Sequence, residues 1–275
     1  PDADRVGAAV KNNEGEWVLL NGNQTALMFV YYLITRWKEL GKINGKEYIV
    51  KTIVTTETIK TIAERNGVEM YDVYTGFKWI ANVMRENEGK KNYIGGGEES
   101  YGFLCEDFVR DKDAVSACVI LAEIAAWAKD QGLSLYQLLQ KIYVEYGFSK
   151  EKGISVVKKG KSGAEEIEAM MKKFRENPLT EIAGSKVTYF YDYSTLKGKD
   201  YAENETVTLD MPTTSNVLQY FTEDNTKVSI RPSGTEPKIK FYCEVHSKVK
   251  SIDELPEAEK AAEEKINQIK ASLGI

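Results

Sequence analysis

The sequence predicts an α/β protein: a mixed, mainly parallel α/β domain followed by a smaller α+β domain whose antiparallel sheet is covered by helices. Three observations support this prediction. The first half alternates β-rich runs with helical stretches, the pattern of βαβ units around a mainly parallel sheet. From about Ser155, strand-like runs follow one another with few helices between them. The final segment has apolar residues at spacings of three and four, as an amphipathic helix does.

The elements of the first half follow in a regular order. Its predicted strands are "RVGAAV", "YIVKTIV" and "VEMYDVY", and its predicted helices are "QTALMFVYYLITRWKEL", "TETIKTIAERNG" and "FKWIANVMREN". Two further helices are predicted, from Asp113 to Asp130 and from Leu135 to Tyr146. The first of these is apolar nearly all round, which predicts a buried helix.

The second half is predicted to be mainly antiparallel. Its strands are "KVTYFYDY", "NVLQYF", "KVSIRP" and "KIKFYCEVH". In the last run apolar residues alternate with polar ones, which predicts one core face and one solvated face. The predicted core residues are Ile239, Phe241, Cys243 and Val245, and the predicted solvated residues are Lys240, Tyr242, Glu244 and His246. The helix from Ile252 to Leu273 is expected to cover this sheet.

Composition limits the classes of function. With 275 residues, 42% hydrophobic and 29% charged, the chain is long enough for two globular domains. A net charge of -5 argues against general nucleic-acid binding. The longest apolar stretch, Val115 to Ala128, is too short for a membrane span and contains Glu123. Three cysteines without metal-ligand spacing favour a reducing compartment, hence the cytoplasm, with the thiols in the core: Cys105, Cys118 and Cys243.

One segment, "YIGGGEESYGF", places three glycines directly before two carboxylates and a hydroxyl. Three consecutive glycines are unfavourable inside a helix or a strand, so the run predicts a loop. That loop presents side chains suited to a polyhydroxylated ligand: Glu98, Glu99, Ser100 and Tyr101.

A second segment, "RPSGTEPKIK", lies between two predicted strands. Arg231 offers a planar fork for phosphate, and Gly234 allows backbone N–H groups to approach an anion closely. Ser233 and Thr235 add hydroxyl donors. A Pro-Gly turn with solvated charges is the alternative, and the density of phosphate donors favours the anion site.

A third segment, "PDADR", opens the sequence. Asp2 and Asp4 lie on the same side of an extended backbone, where two carboxylates can hold Mg²⁺. On these residues alone, an acidic turn at a chain end is the better interpretation. His246, the single histidine, is predicted to be a solvated or hydrogen-bonded surface residue, and no feature places it beside a nucleophile. The dinucleotide, Walker and nucleophile-elbow patterns each fail at a required glycine.

Taken in order, "PDADRVG", "GGGEESYGF" and "RPSGTEPKIKFY" resemble the metal loop, sugar loop and phosphate loop of the α-D-phosphohexomutases. This family comprises the phosphoglucomutases and phosphomannomutases. "TGFKWI" and "FVRDKDAV" are similar to its third domain, so the resemblance extends over the whole chain. It implies interconversion of hexose 1-phosphate and hexose 6-phosphate through a bisphosphorylated sugar.

The resemblance also implies roles for individual residues. Glu98 and Ser100 would contact sugar hydroxyls, Lys78 would reach substrate or phosphate, and Arg5 would sit beside the reacting phosphate. Four residues would hold the phosphate that is not transferred: Arg231, Ser233, Gly234 and Thr235. Two residues would be Mg²⁺ ligands: Asp2 and Asp4. The implied partner is a phosphosugar, and neither nucleic acid nor membrane is expected.

Two parts of the family pattern are not matched. The metal loop reads D-x-D-x-D-R, and its first aspartate and the catalytic phosphoserine of the N-terminal domain find no counterpart here. We therefore expect the C-terminal part of an enzyme, inactive without its N-terminal domains. Its expected parts are a remnant of domain 2 (1–20), the sugar-binding domain 3 (21–150) and the phosphate-binding domain 4 (151–275).

Several functions remain open at this point. Glucose is the favoured sugar, because the sugar loop with Tyr101 is closest to that of bacterial phosphoglucomutases. Phosphomannomutase, phosphopentomutase and phosphoglucosamine mutase activities are the alternatives within the family. A non-catalytic phosphosugar-binding module is the rival from another class, and a purely structural α/β protein is the third interpretation.

Overall fold

The computed structural model describes residues 2–158 and 160–275, and the chain forms two compact units. The first unit contains the chain up to Phe148 together with Lys248–Asp253. The second contains Ser149–Ser247 and Glu254–Ile275. The first unit contains a four-stranded sheet and a separate two-stranded sheet, and the second contains an eight-stranded sheet.

The first unit is a mainly parallel α/β structure, as predicted. Its elements in chain order are β1 (Ala8–Lys11), β2 (Trp17–Leu20), α1 (Gly22–Glu39), β3 (Glu47–Thr52), α2 (Thr58–Arg65), β4 (Glu69–Val73), α3 (Phe77–Asn87), β5 (Asn92–Gly97), β6 (Phe103–Cys105), α4 (Ala114–Asp130) and α5 (Leu135–Tyr146). The sheet order is β4-β3-β5-β6, in which β3 is parallel to both β4 and β5, and β6 is antiparallel to β5.

The first predicted strand, "RVGAAV", is not part of this alternation. Its residues Ala8–Lys11 form β1, which pairs with β2 in a separate two-stranded antiparallel sheet. A tight turn joins the two strands, since the Asn12 side chain accepts hydrogen bonds from the backbone N–H groups of Glu14 and Glu16. Because the turn is short, the chain reverses direction and β2 pairs with β1 rather than with the main sheet.

Local sequence explains where the helices begin. Asn21 and Gln24 form a reciprocal capping box at the start of α1, and Ser134 and Gln137 form a second one at the start of α5. Asp113 caps α4 by accepting the Ser116 N–H at 2.7 Å. These caps satisfy N–H groups that a helix leaves without an internal partner.

The prediction that α4 is buried on all sides is wrong. One face of the helix is buried, at Ala117, Leu121, Ile124 and Ala128. Val115 is 72% exposed and Val119 is 60% exposed, and Cys118 is exposed rather than in the core. Apolar composition alone does not determine burial, because a helix is buried only where other elements pack against it. Within the described residues, no helix combines the length and hydropathy needed to span a bilayer.

The second unit is built around an antiparallel sheet. Its elements are β7 (Phe148–Val157), α6 (Gly160–Glu176), β8 (Glu181–Ile182), β9 (Ser185–Asp192), β10 (Lys197–Asp200), β11 (Glu205–Thr208), β12 (Leu218–Thr222), β13 (Lys227–Pro232), β14 (Lys238–Ser247) and α7 (Leu255–Leu273). The strand order is β11-β10-β9-β12-β13-β14-β7, with β8 beside β9. Strands β9 to β14 pair antiparallel with their neighbours, as predicted.

Alternation along β14 correctly predicts the core face, where its four apolar residues are at most 5% exposed. The helix α7 packs against β14 through its buried face, as expected. The solvated face, however, contains a buried ion pair. Glu244 is 3% exposed, its carboxylate lies 2.9 Å from Lys227 Nζ, and its Oε1 lies 2.6 Å from His246 Nε2. The histidine is therefore a partner of a buried carboxylate and not a freely solvated side chain.

Candidate functional site

The three glycines before the predicted sugar-binding residues lie in a strand and not in a loop. Gly95, Gly96 and Gly97 are the buried last residues of β5. A Cβ at Gly96 would lie 2.4 Å from the Val50 carbonyl oxygen, and one at Gly97 would lie 2.5 Å from the Phe103 ring. Glycine is therefore required here by the close approach of neighbouring chain, which outweighs its low strand propensity.

The loop between β5 and β6 carries Glu98 and Ser100 at the carboxyl end of a parallel strand, the edge where open α/β sheets commonly bind ligands. Glu98 is only 7% exposed. Its Oε1 accepts the Gly76 N–H at 2.8 Å, and its own N–H donates to the Gly102 carbonyl at 2.8 Å. Ser100 is partly exposed in the turn that follows. The carboxylate of Glu98 is thus held in one orientation by the fold.

The neighbouring carboxylate, Glu99, is fixed from the other side. Its N–H donates to Thr55 Oγ1 at 3.1 Å, and its Oε2 accepts the Thr52 hydroxyl at 3.2 Å. Thr52 is the last residue of β3 and Thr55 follows it closely, so both connect this strand to the loop. The sugar loop is consequently anchored on two elements of the sheet. Its residue Tyr101 adopts a left-handed conformation with φ of 73°.

Lys78 lies in the first turn of α3, two residues after Gly76, whose N–H donates to Glu98. The Lys78 ammonium is 4.8 Å from the centre of the Trp79 ring. A surface pocket of about 430 Å³ brings Lys78 together with two arginines, Arg85 and Arg110. The pocket also contains Asp111, and Arg110 pairs with Glu88, so its excess of positive charge is partly balanced by carboxylates.

The N-terminal segment approaches the sugar loop through its backbone and one side chain. The Asp4 carboxylate lies 3.0 Å from Lys112 Nζ and 3.8 Å from Arg5 Nε. The hydrogen bond from Lys112 is the main reason that the pKa of Asp4 is lowered from its usual value. Arg5 is largely exposed and Asp2 is exposed.

Asp2 and Asp4 have the right chemistry for Mg²⁺, because both supply hard oxygen ligands. Among residues 2–158 and 160–275, however, no group of three or more His, Cys, Asp or Glu side chains is placed to hold a metal ion. Two carboxylates alone do not complete a magnesium site, and Asp4 faces the ammonium of Lys112. Further ligands would have to come from water, substrate phosphate or other parts of the protein.

The predicted phosphate loop joins β13 to β14. Arg231 lies in β13 opposite Lys240 of β14, and Ser233 begins the exposed turn between the strands. The Ser233 hydroxyl is the shared acceptor of the Thr235 and Glu236 N–H groups, at 3.4 and 3.3 Å. In this structure the two backbone N–H groups of the turn therefore point to the Ser233 hydroxyl.

Space for a ligand lies beside this turn. A cleft of about 970 Å³ is lined by the turn and by one face of α6, including Ser233, Gly234, Thr235 and Arg175. Arg175 is held in the cleft by Asp192 at 3.0 Å and by Asn216 at 2.8 Å. A Cβ at Gly234 would meet no atom within 4 Å, so the tip itself is open.

Sequence reasoning missed two lysines. Lys112 contacts two residues of the predicted site, and the only signal for it was its place in "FVRDKDAV" after the sugar loop. Lys51 is fully buried at the end of β3, where its Nζ lies 2.7 Å from Asp72 and 2.9 Å from Glu57. The local sequence of a buried strand does not indicate that a lysine in it forms ion pairs with two carboxylates.

Comparison with known proteins agrees with the fold. Residues 21–146 match the profile of phosphoglucomutase/phosphomannomutase alpha/beta/alpha domain III, and residues 155–262 match that of the C-terminal domain. The phosphoglucomutase of Staphylococcus aureus strain MRSA252 is 38% identical over 242 residues, which is 88% of this chain and 43% of that protein. The phosphoglucomutase of Staphylococcus haemolyticus is 33% identical over 90% of this chain and 44% of its own length.

Solved structures of low sequence identity share the fold. The open form of pp63/parafusin, a Paramecium phosphoglucomutase, superposes with a TM-score of 0.57 at 17% identity, over 97% of this chain and 44% of that one. A phosphoglucomutase/phosphomannomutase family protein from Burkholderia thailandensis gives 0.57 at 16% identity, over 99% and 45%. Sequence profiles and fold together define a pair of C-terminal phosphohexomutase domains. The chain belongs to the phosphoglucomutase/phosphomannomutase family, and it spans less than half the length of these relatives.

Proposed function

We propose that this chain supplies the sugar-binding and phosphate-binding parts of an enzyme that interconverts hexose 1-phosphate and hexose 6-phosphate, with glucose as the preferred sugar. The observation that carries the proposal is the placement of Glu98, which the Gly76 N–H holds at the carboxyl end of β5. The relatives named phosphoglucomutase support glucose over the other sugars considered. Mannose, glucosamine and pentose phosphates are the alternatives within the same family.

The sugar is proposed to bind at the loop between β5 and β6. A carboxylate oriented by a backbone N–H accepts hydrogen bonds from sugar hydroxyls, and Ser100 adds a donor and an acceptor beside it. Lys78 is proposed to bind the phosphate or the substrate at the same edge, since it lies two residues after Gly76 and shares its pocket with two arginines. Because these groups are positioned by strand and helix ends, little conformational freedom is lost on binding.

The phosphate that is not transferred is proposed to bind at the turn after β13. Arg231 would donate a bidentate pair of hydrogen bonds, while Ser233, Gly234 and Thr235 would contribute hydroxyl and backbone donors. A group that is held but not transferred contributes binding energy for positioning the reacting end. The exposed tip of the turn leaves room for a phosphate to reach it.

Charge stabilisation at the transferring phosphoryl group is proposed to come from the N-terminal segment. Arg5 would sit beside that group, and Asp2 with Asp4 would be ligands of Mg²⁺, which offsets charge on phosphoryl oxygens when bound. The phosphoserine implied by the family has no counterpart in this sequence. We therefore assign it to the N-terminal domains and expect the chain alone to bind but not convert its substrate. Cytoplasmic location remains a prediction from the unpaired cysteines.

The test is calorimetric titration of the 275-residue chain with glucose 1-phosphate and mannose 1-phosphate at low and moderate salt. Arg231→Ala should weaken binding about tenfold or more, because it removes a charge-assisted contact to phosphate. Glu98→Gln should weaken it less and change the preference between the two sugars. Lys197→Ala is the matched control, since this exposed lysine lies on β10, away from the turn.

The two variants separate the parts of the proposal. Loss of affinity in Arg231→Ala but not in Lys197→Ala supports a phosphate site at the turn after β13. Equal affinity of wild type and Arg231→Ala contradicts it. If the chain binds mannose 1-phosphate more tightly than glucose 1-phosphate, mannose is the preferred sugar, and the proposed binding sites are unaffected.

A further inference from the structure

Lys112 lies between two carboxylates that come from different parts of the first unit. Its Nζ is 3.0 Å from Asp4 Oδ2 and 3.9 Å from Glu98 Oε2. The Lys112 side chain is 11% exposed, and the Glu98 side chain is 8% exposed. One ammonium group therefore faces both the N-terminal segment and the sugar loop in a place that little solvent reaches, where screening of charges is weak.

The stem of Lys112 is confined by its surroundings. A Cβ at Gly102 would lie 2.4 Å from Lys112 Cδ and 2.6 Å from its Cε, so the glycine makes room for this side chain. The ammonium is 5.0 Å from the centre of the Phe77 ring. The next residue, Asp113, caps α4 and fixes the backbone. Lys112 is thus held by packing as well as by charge.

Backbone hydrogen bonds also hold the N-terminal segment, one at the start of α4 and one at the sugar loop. The Ala114 N–H donates to the Ala3 carbonyl at 2.9 Å, and the Val6 N–H donates to the Tyr101 carbonyl at 3.1 Å. The N-terminal segment is therefore tied at one point to the start of α4 and at another to the sugar loop. Lys112 contacts both segments between these two points.

We propose that Lys112 is a positioning residue that couples the N-terminal Asp2–Arg5 segment to the sugar loop by binding Asp4 and Glu98 at once. Glu98 Oε1 is already held by the Gly76 N–H, so the contact of Oε2 with Lys112 sets the second oxygen and hence the plane of the carboxylate. Movement of one segment is transmitted to the other through this cation. The part of the proposal that concerns sugar orientation rests on the proposed function.

The first experiment measures amide hydrogen exchange in residues 3–6 and 98–102 of the whole chain. Lys112→Met keeps a chain of similar length without the charge, and we expect exchange about tenfold faster in both segments, since a contact to a charged group in a shielded place is lost. Lys112→Arg should restore most of the protection. The control is Lys129→Met, an exposed lysine in the last turn of α4, which should match wild type.

A second pair of variants tests the coupling without removing the lysine. Asp4→Asn should accelerate exchange in residues 98–102, although it is not part of that loop, and Gly102→Ala should accelerate it in residues 3–6 by displacing the lysine stem. Asp2→Asn is the control for Asp4→Asn. Unchanged exchange in Lys112→Met, or a response confined to the segment that carries each substitution, would overturn the proposal.

Ligand binding then connects the lysine to the sugar. In a Lys112→Met background, Glu98→Gln should weaken glucose 1-phosphate binding by a smaller factor than it does in wild type, because the carboxylate is already misoriented. Additive effects of the two substitutions contradict the orienting role. If wild type itself binds no glucose 1-phosphate, the proposed function fails, whereas the exchange experiment still decides whether Lys112 couples the two segments.

Discussion

The two predicted ligand loops are built in opposite ways. The sugar loop continues from β5, whose residues from Tyr93 to Gly97 are buried and whose glycines touch neighbouring backbone. The phosphate loop is an exposed turn in which Gly234 has no neighbour within 4 Å. Similar stretches of glycine and polar residues therefore have different structural meanings. Substitutions in the first loop should affect folding, and those in the second should affect ligand binding alone.

The largest effect on stability is expected at the buried base of the hairpin formed by β13 and β14, which the phosphate loop joins. Lys227 and Glu244 face each other in register on β13 and β14, with side chains 2% and 4% exposed. Lys227→Met should lower the free energy of unfolding by about 3 kcal/mol, since it leaves a buried carboxylate without its main partner. The measurement is urea unfolding at neutral pH.

Its matched control lies at the other end of the same hairpin. Lys238 pairs with Glu236 at 2.7 Å, but Glu236 is 62% exposed. Lys238→Met should leave the urea midpoint unchanged, because exposed ion pairs contribute little. Equal losses in the two variants would show that burial does not distinguish the base of the hairpin from its tip.

A somewhat smaller effect is expected from the glycines. Gly96→Ala should lower the free energy of unfolding by about 2 kcal/mol, because its Cβ would lie 2.4 Å from the Val50 carbonyl oxygen and 2.8 Å from Tyr93 Oη. Gly234→Ala should change it by less than about 0.5 kcal/mol. Both values come from urea unfolding of the whole chain. A tolerated alanine at position 96 would contradict the crowding that distinguishes the sugar loop.

The smallest effect is a pH dependence confined to the second unit, which contains the single histidine. Burial alone would lower the pKa of His246, but the Glu244 carboxylate outweighs burial and raises it above its usual value. The stabilisation is complete below the unfolded-state pKa of about 6.5 and is lost as pH rises through the higher folded-state pKa. The His246 imidazole, the only one in the sequence, can be titrated directly by proton NMR.

The His246→Gln variant isolates this contribution. The difference in unfolding free energy between wild type and variant should be larger at about pH 5.5 than at about pH 9. We expect this difference to change by less than about 1 kcal/mol between the two pH values. A difference that grows with pH would reverse the sign and exclude the ion pair with Glu244 as its cause.

Much of the architecture follows from the sequence because hydrophobic periodicity is local. The period of two along β14 predicts its core face, and the spacings of three and four along α7 predict the face that packs on that strand. The loops that resemble the family's motifs likewise identify the family. The capping boxes at Asn21 and Ser134 are local in the same way, since the groups they satisfy lie within four residues.

The failed predictions concern contacts between residues far apart in the sequence. The run of glycines predicts a loop by propensity, but Val50 and Phe103 approach it so closely that only glycine fits in the strand. The apolar surface of α4 predicts burial, but neighbouring elements cover one face only. The polar period of β14 predicts a solvated Glu244, but this residue is buried and pairs with Lys227 of the neighbouring strand.

The sequence by itself determined the alternating pattern of the first half, the main antiparallel strands of the second, the family, and the residue types available for a phosphosugar, but it did not predict the helix α6. Only the tertiary structure decided which of these residues act together. It placed Lys112 between Asp4 and Glu98, and Lys51 beside Asp72. The physical reason is that ion pairs and close packing depend on which segments the folded chain brings within a few ångströms of each other, and no local pattern records that distance.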